Sequence, residues 1–142
     1  VGYDTLGSSS SRIMGLNDAY PVESGEAMTA EALACRLARD QPGLGALGER
    51  PVALMPNTLP GWHPSGRTND MYYWFHGTRA LNRLGEERSL GPWRAAMHRA
   101  ALDSQRSARG DHAAGSWDPL DPWAPIGGRV YATALMCLSL ET

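Results

Sequence analysis

The chain has 142 residues, a formal net charge of -2 and two cysteines, which is enough for one domain with a buried core. A charge this near zero gives no reason to expect nucleic acid or an anionic membrane surface as partner, and the 13 basic residues, all Arg, are scattered along the chain. No apolar run approaches the roughly 18 residues of a membrane span, and the first residues lack the basic start and apolar stretch of a signal peptide.

Residues 1–25 are rich in Ser and Gly and carry no sustained apolar period, so they are expected to form a loop or extended arm, laid on a surface through Tyr3, Ile13, Met14 and Tyr20. From Glu26 to Arg39 the spacing predicts a helix, with Ala27, Ala30, Ala34, Leu37 and Ala38 in a stripe that Leu33 and Cys35 widen. Ser24 is placed to cap it and Glu26 suits the positive end of its dipole. Residues 44–55 suggest a short helix that begins or kinks at Pro51. Pro60, Gly61, Pro64 and Gly66 are turn chemistry leading to three capping candidates, Thr68, Asn69 and Asp70.

The next helix is expected from Asp70 to Leu84, with Met71, Trp74, Phe75, Thr78 and Leu81 on one face and Gly85 as its stop. Gly91-Pro92 predicts a restart with Pro in the first turn. There Trp93, Ala96, Met97, Ala100 and Ala101 form the buried stripe, with Arg94, His98, Arg99 and Asp103 outside, and the helix ends near Gln105. The last helix, 128–141, contains a segment from Ala132 to Leu138 that is apolar nearly all round, which predicts burial between other elements. Cys35 and Cys137 both fall in helix interiors, where a thiol acts as a small hydrophobe. With no Cys-x-x-Cys or Cys-His spacing, neither a zinc site nor any other cofactor is expected. The fold class is therefore all-α, stacked helical hairpins joined by long loops rich in Gly, Pro and Trp.

The motifs from residue 26 onward follow a familiar order: Met28-Thr29-Ala30-Glu31-Ala32-Leu33, Cys35-Arg36, Met71-Tyr72-Tyr73-Trp74-Phe75, Trp93, Gln105, Gly115-Ser116-Trp117-Asp118-Pro119, Gly127-Gly128-Arg129-Val130-Tyr131 and Thr133-Ala134-Leu135. This resembles the repeat of the squalene cyclase and protein prenyltransferase families, and more nearly a bacterial, planctomycete-type group carrying a prenyltransferase and squalene oxidase repeat. The resemblance implies a partial alpha/alpha toroid of about two and a half hairpins over residues 26–142, with Gln105, Gly115, Trp117, Gly127, Gly128 and Arg129 as the structural repeat signature. The activities of those families are not implied with it. The chain lacks the Asp-x-Asp-Asp acid run of the cyclases, a placeable Asp, Cys and His zinc set, and the Cys-Gly-Glu-Gln thioester run.

Within that frame Trp117 and Gln105 are expected to hold hairpins together, the indole on a helix end and the amide on free backbone groups. Asp118 and Asp121, with Asp111 and His112 nearby, are weak candidates for a hard cation, though Asx turns explain such a loop better. Arg129 is expected to pair with Asp118 or Asp121, the alternative being an anion site at the helix start. Trp74 and Phe75 read as core, with Tyr73 and His76 at its edge; the other reading makes Tyr72, Trp74 and Phe75 the lining of an isoprenoid or acyl cavity. His63, His98 and His112 are expected at the surface. A short repeat array buries its faces only against neighbours, so this one is expected to lean on a partner chain or a missing N-terminal portion, and the expected function is a non-catalytic structural or interaction subunit of a larger assembly, with other protein chains as partners. The alternative is a lipid-binding or terpene cyclase-like protein.

Overall fold

The computed structural model describes residues 26–38, 55–66, 68–85 and 87–141. The expected arm over 1–25, and all but Met55 of the expected helix over 44–55, lie outside the described residues. Four helices carry the described fold: α1 (Glu26–Ala38), α2 (Met71–Leu84), α3 (Glu87–Ser104) and α4 (Ala124–Leu140), with a 3-10 turn at Met55–Asn57. The chain is all-α in this respect; among the described residues there is no strand, only a bridge between Gln105 and Trp117.

The ends of α2 follow from its sequence. The Asp70 side chain accepts the Tyr73 N–H at 2.9 Å, satisfying one of the first-turn donors. Gly85 closes the other end at φ 69°, and its N–H returns to the Leu81 carbonyl. Beside the cap, fully buried Asn69 joins two loops: its Oδ1 accepts the His63 N–H, and its Nδ2 donates to the carbonyls of His63 and Leu120.

Because α2 packs against α1, α3 and α4, it is the centre of the described fold. Ala30 and Leu33 of α1 bury against it, and Leu90, Trp93, Met97, Ala100 and Ala101 of α3 join the same core as Met71, Trp74 and Leu81. Trp93 is the joint between α2 and α3. Its Nε1 donates to Thr78 Oγ1 at 2.9 Å, that hydroxyl donates back to the Trp74 carbonyl, and the Tyr73 ring meets the indole edge-on at 5.4 Å. The indole lies so close to the α2 backbone that a Cβ at Gly77 would stand 2.5 Å from Trp93 Cζ2. No side chain fits there.

Four local expectations change. Helix α3 begins at Glu87, not at Gly91-Pro92, and Pro92 lies inside it; Glu87 suits the positive helix end, and the proline costs one backbone hydrogen bond. Cys35 and Cys137 are exposed. Tyr73 is buried while Phe75 is partly exposed, since 3.6-residue spacing turns Tyr73 toward Trp93. Finally, α4 begins at Ala124, four residues before Gly128, and is buried only through Ala124, Ala132, Met136 and Ser139.

Candidate functional site

The loop from Gln105 to Trp123 is built around the end of α3. Trp117 is buried and its Nε1 donates at 2.9 Å to the Ala101 carbonyl, which also accepts the Gln105 N–H at the end of the helix. Gln105 Nε2 donates to the Gly115 carbonyl, while Arg106 and the 115–116 backbone exchange N–H···O bonds of 3.0 and 2.7 Å. Indole and amide thus fasten the loop to α3.

Charges then fasten the loop to α4. Arg129 reaches Asp118 Oδ1 at 2.6 Å and Ser116 Oγ at 3.1 Å, and Arg106 holds the other Asp118 oxygen at 3.2 Å and Asp111 at 2.7 Å. Burial raises the Asp118 pKa, but Arg129 and Arg106 outweigh it and leave the carboxyl below its ordinary value. The Ala113 N–H and then Arg106 lower Asp111 likewise. Gly128 makes the Arg129 contact possible: at φ 62°, ψ -162° it breaks the helical path between the first turn of α4 and its long remainder.

Asp121 does different work from Asp118. It is buried, and its Oδ2 accepts the Met71 N–H at 3.2 Å and the Tyr131 hydroxyl at 3.1 Å, while Oδ1 accepts the Trp123 N–H at 2.9 Å. One carboxylate therefore receives N–H donors from the starts of α2 and α4, where helix dipoles favour negative charge. Burial nevertheless raises its pKa, and burial with the Asp121 charge raises that of Tyr131. Since Asp118 and Asp121 are turned to separate partners, they make no joint cation site, and among the described residues no three His, Cys, Asp or Glu side chains are grouped to hold a metal.

The aromatic run divides between two sides of α2. Trp74 is in the core, whereas Tyr72 and Phe75 are half-buried and turn toward His76, with Tyr72 also edge-on to Trp123 at 6.3 Å. The Tyr72 hydroxyl is pushed up to about 12 by burial and then by Glu31, and burial lowers the pKa of His76. His63, His98 and His112 are exposed.

The apolar helix from which the sequence predicts burial turns part of that surface outward. On the outside of α4, Ile126 is 69%, Val130 83%, Leu138 43% and Leu140 38% exposed, with exposed Ala134 and Cys137 between them. No charged residue interrupts α4 from Val130 to Leu140. The signal was present in the sequence as an apolar helix without a polar face, and it pointed to burial instead. None of the four helices is long and apolar enough to cross a membrane. Compared with protein-family models, characterised proteins and solved structures, the chain matches none.

Proposed function

We propose that this protein is a non-catalytic helical-repeat module of the partial alpha/alpha toroid type, and that it works by docking another protein helix on the outer face of α4. The observation that carries this reading is the uncharged row of exposed apolar side chains on that helix, Val130 foremost. A soluble surface helix ordinarily turns charged residues outward, and a continuous exposed apolar patch marks an interaction surface. A helix is the fitting partner because the row is a straight ridge, with small Ala134 and Cys137 in the middle to receive the side chains of a facing helix. Resemblance to repeat proteins supports the same choice, since each hairpin there buries its face on the next.

A photo-reactive amino acid placed at position 130 of the intact protein, in the cells that make it, tests this. A covalent protein adduct is expected, joined through a helical segment of the partner and lost when Leu138→Asp is added. The same probe at position 98, on the charged side of α3, gives none. Absence of a protein adduct at 130, or equal labelling at 98, rejects the proposal.

A further inference from the structure

The turn that leads into α2 joins a serine to a histidine two residues before it. Ser65 Oγ lies 2.7 Å from His63 Nδ1, and the Ser65 N–H donates to the same nitrogen at 3.2 Å. A backbone N–H can only donate, so Nδ1 accepts, and the hydroxyl donates to it as well. A nucleophilic oxygen therefore faces an unprotonated base. The backbone beneath the pair is fixed: fully buried Asn69 accepts the His63 N–H at 2.7 Å and donates to the His63 carbonyl at 3.0 Å, and the Gly66 N–H donates to that carbonyl at 2.9 Å. Pro64, between the two residues, has its φ set by its ring. His63 and Ser65 are both exposed, so a reagent reaches the oxygen from solution.

We propose that Ser65 is an acyl-acceptor site, with His63 as its general base, and that it takes one acyl group from an activated donor, a thioester or an aryl ester. Ser65 Oγ attacks the acyl carbon while its proton passes to His63 Nδ1. The Oγ–C bond forms, the bond from that carbon to the sulfur or aryl oxygen breaks with its electron pair leaving on the heteroatom, and His63 Nδ1 returns the proton to the leaving group. An ester of Ser65 and a free thiol or phenol result, with the imidazole neutral again. The need for an activated donor follows from the turn itself. Its N–H groups at Ser65 and Gly66 already donate to His63 Nδ1 and to the His63 carbonyl, so they form no oxyanion hole. Attack is then rapid only on a carbon with a good leaving group, and the alkyl ester on Ser65, whose leaving group is poor, is hydrolysed slowly. The acyl group stays. The site uses no residue of the α4 face and goes beyond the docking reading, adding one covalent attachment to a chain that turns over no substrate.

The test treats the whole chain, carrying Cys35→Ala and Cys137→Ala to remove the two exposed thiols as rival nucleophiles, with p-nitrophenyl acetate. Nitrophenolate release is followed together with the acetylated peptides by mass. A burst of about one nitrophenolate per chain is expected, with an acetyl group on Ser65 and a later release at least tenfold slower. Ser65→Ala abolishes the burst, and His63→Gln slows it about a hundredfold, the lower end of a general-base contribution; circular dichroism verifies that both variants keep the parent's helix content. Ser107, exposed in the loop after α3, is the comparison and acetylates about a hundredfold more slowly than Ser65. Acetylation of Ser65 no faster than that of Ser107, an unaltered rate in His63→Gln, or steady turnover with no acetyl group accumulating on Ser65 overturns the proposal.

Discussion

At the scale of single residues, Asp121 sets hydrogen bonding to its charge against the cost of burying it. Its two oxygens accept backbone N–H groups from two helix starts and a tyrosine hydroxyl, yet burial opposes its charge. The folded carboxyl holds its proton to a higher pH than the unfolded one. From the ordinary carboxylate pKa up to the raised folded value, the folded state thus binds more protons, and this group makes stability fall as pH rises. Asp111 and Asp118 act in the opposite sense: their lowered pKa values give stability that is present above the ordinary carboxylate value and lost as pH falls through the folded one. Asp121→Asn removes the charge but exchanges one acceptor oxygen for an amide that cannot accept. The variant is expected to lose about 1–3 kcal/mol in urea unfolding, and to lose the decline with pH just above the ordinary carboxylate range. A change below 0.5 kcal/mol, or an unaltered pH curve, contradicts this account.

Elements repeat the lesson in a different form. The short first turn and long remainder of α4 meet at Gly128, whose φ of 62° and ψ of -162° is open to glycine and strained for any other residue. That bend positions Arg129 for Asp118 and Tyr131 for Asp121. Gly128→Ala is therefore expected to cost about 1–3 kcal/mol, and to weaken both tethers together, visible as increased amide exchange at 116–123 as well as at 129–131. Exchange altered at the glycine alone argues against the bend as their common support.

What could be read from the sequence follows the range of the forces involved. The ends of α2 were legible because their cap and stop, Asp70 and Gly85, lie within a residue of the helix. The roles of Trp117 and Gln105, and the pairing of Arg129 with Asp118, were legible because their partners are at most 16 residues away. The Asp121 clasp was hidden, since the Met71 N–H is 50 residues distant and a backbone donor leaves no mark in composition. Pro92 was misread as a helix start because Pro also occurs, at a cost, one turn further in. For α4 the pattern is apolar, but hydrophobic periodicity states only what a helix would bury, and part of that face is exposed among the described residues.

For the molecule as a whole, the described packing is unequal around its central helix. Helix α2 meets α1, α3 and α4, and it contributes two aromatic residues, Tyr73 and Trp74, to the core beside Trp93 of α3. Among the described elements α1 rests on α2, where Leu33 is its one fully buried large residue, Leu37 packs partly buried against the core, and Ala27, Ala30 and Ala34 bring little apolar area. Burial is worth about 25 cal/mol per Å², so α1, with two leucines and small alanines at its contact, is held by less than the aromatic joint of α2 with α3. Local opening follows such differences. Native-state amide exchange is expected to show α1 opening sub-globally while α2 remains closed, with the interior amides of α2 exchanging through global unfolding and those of α1 at least tenfold faster. Leu33→Ala should widen that gap, because it empties the main apolar contact of α1 and leaves the Trp93, Thr78 and Trp74 linkage in place. Equal protection of α1 and α2, responding equally to Leu33→Ala, would mean that the four helices open as one unit and that the unequal packing has no energetic consequence.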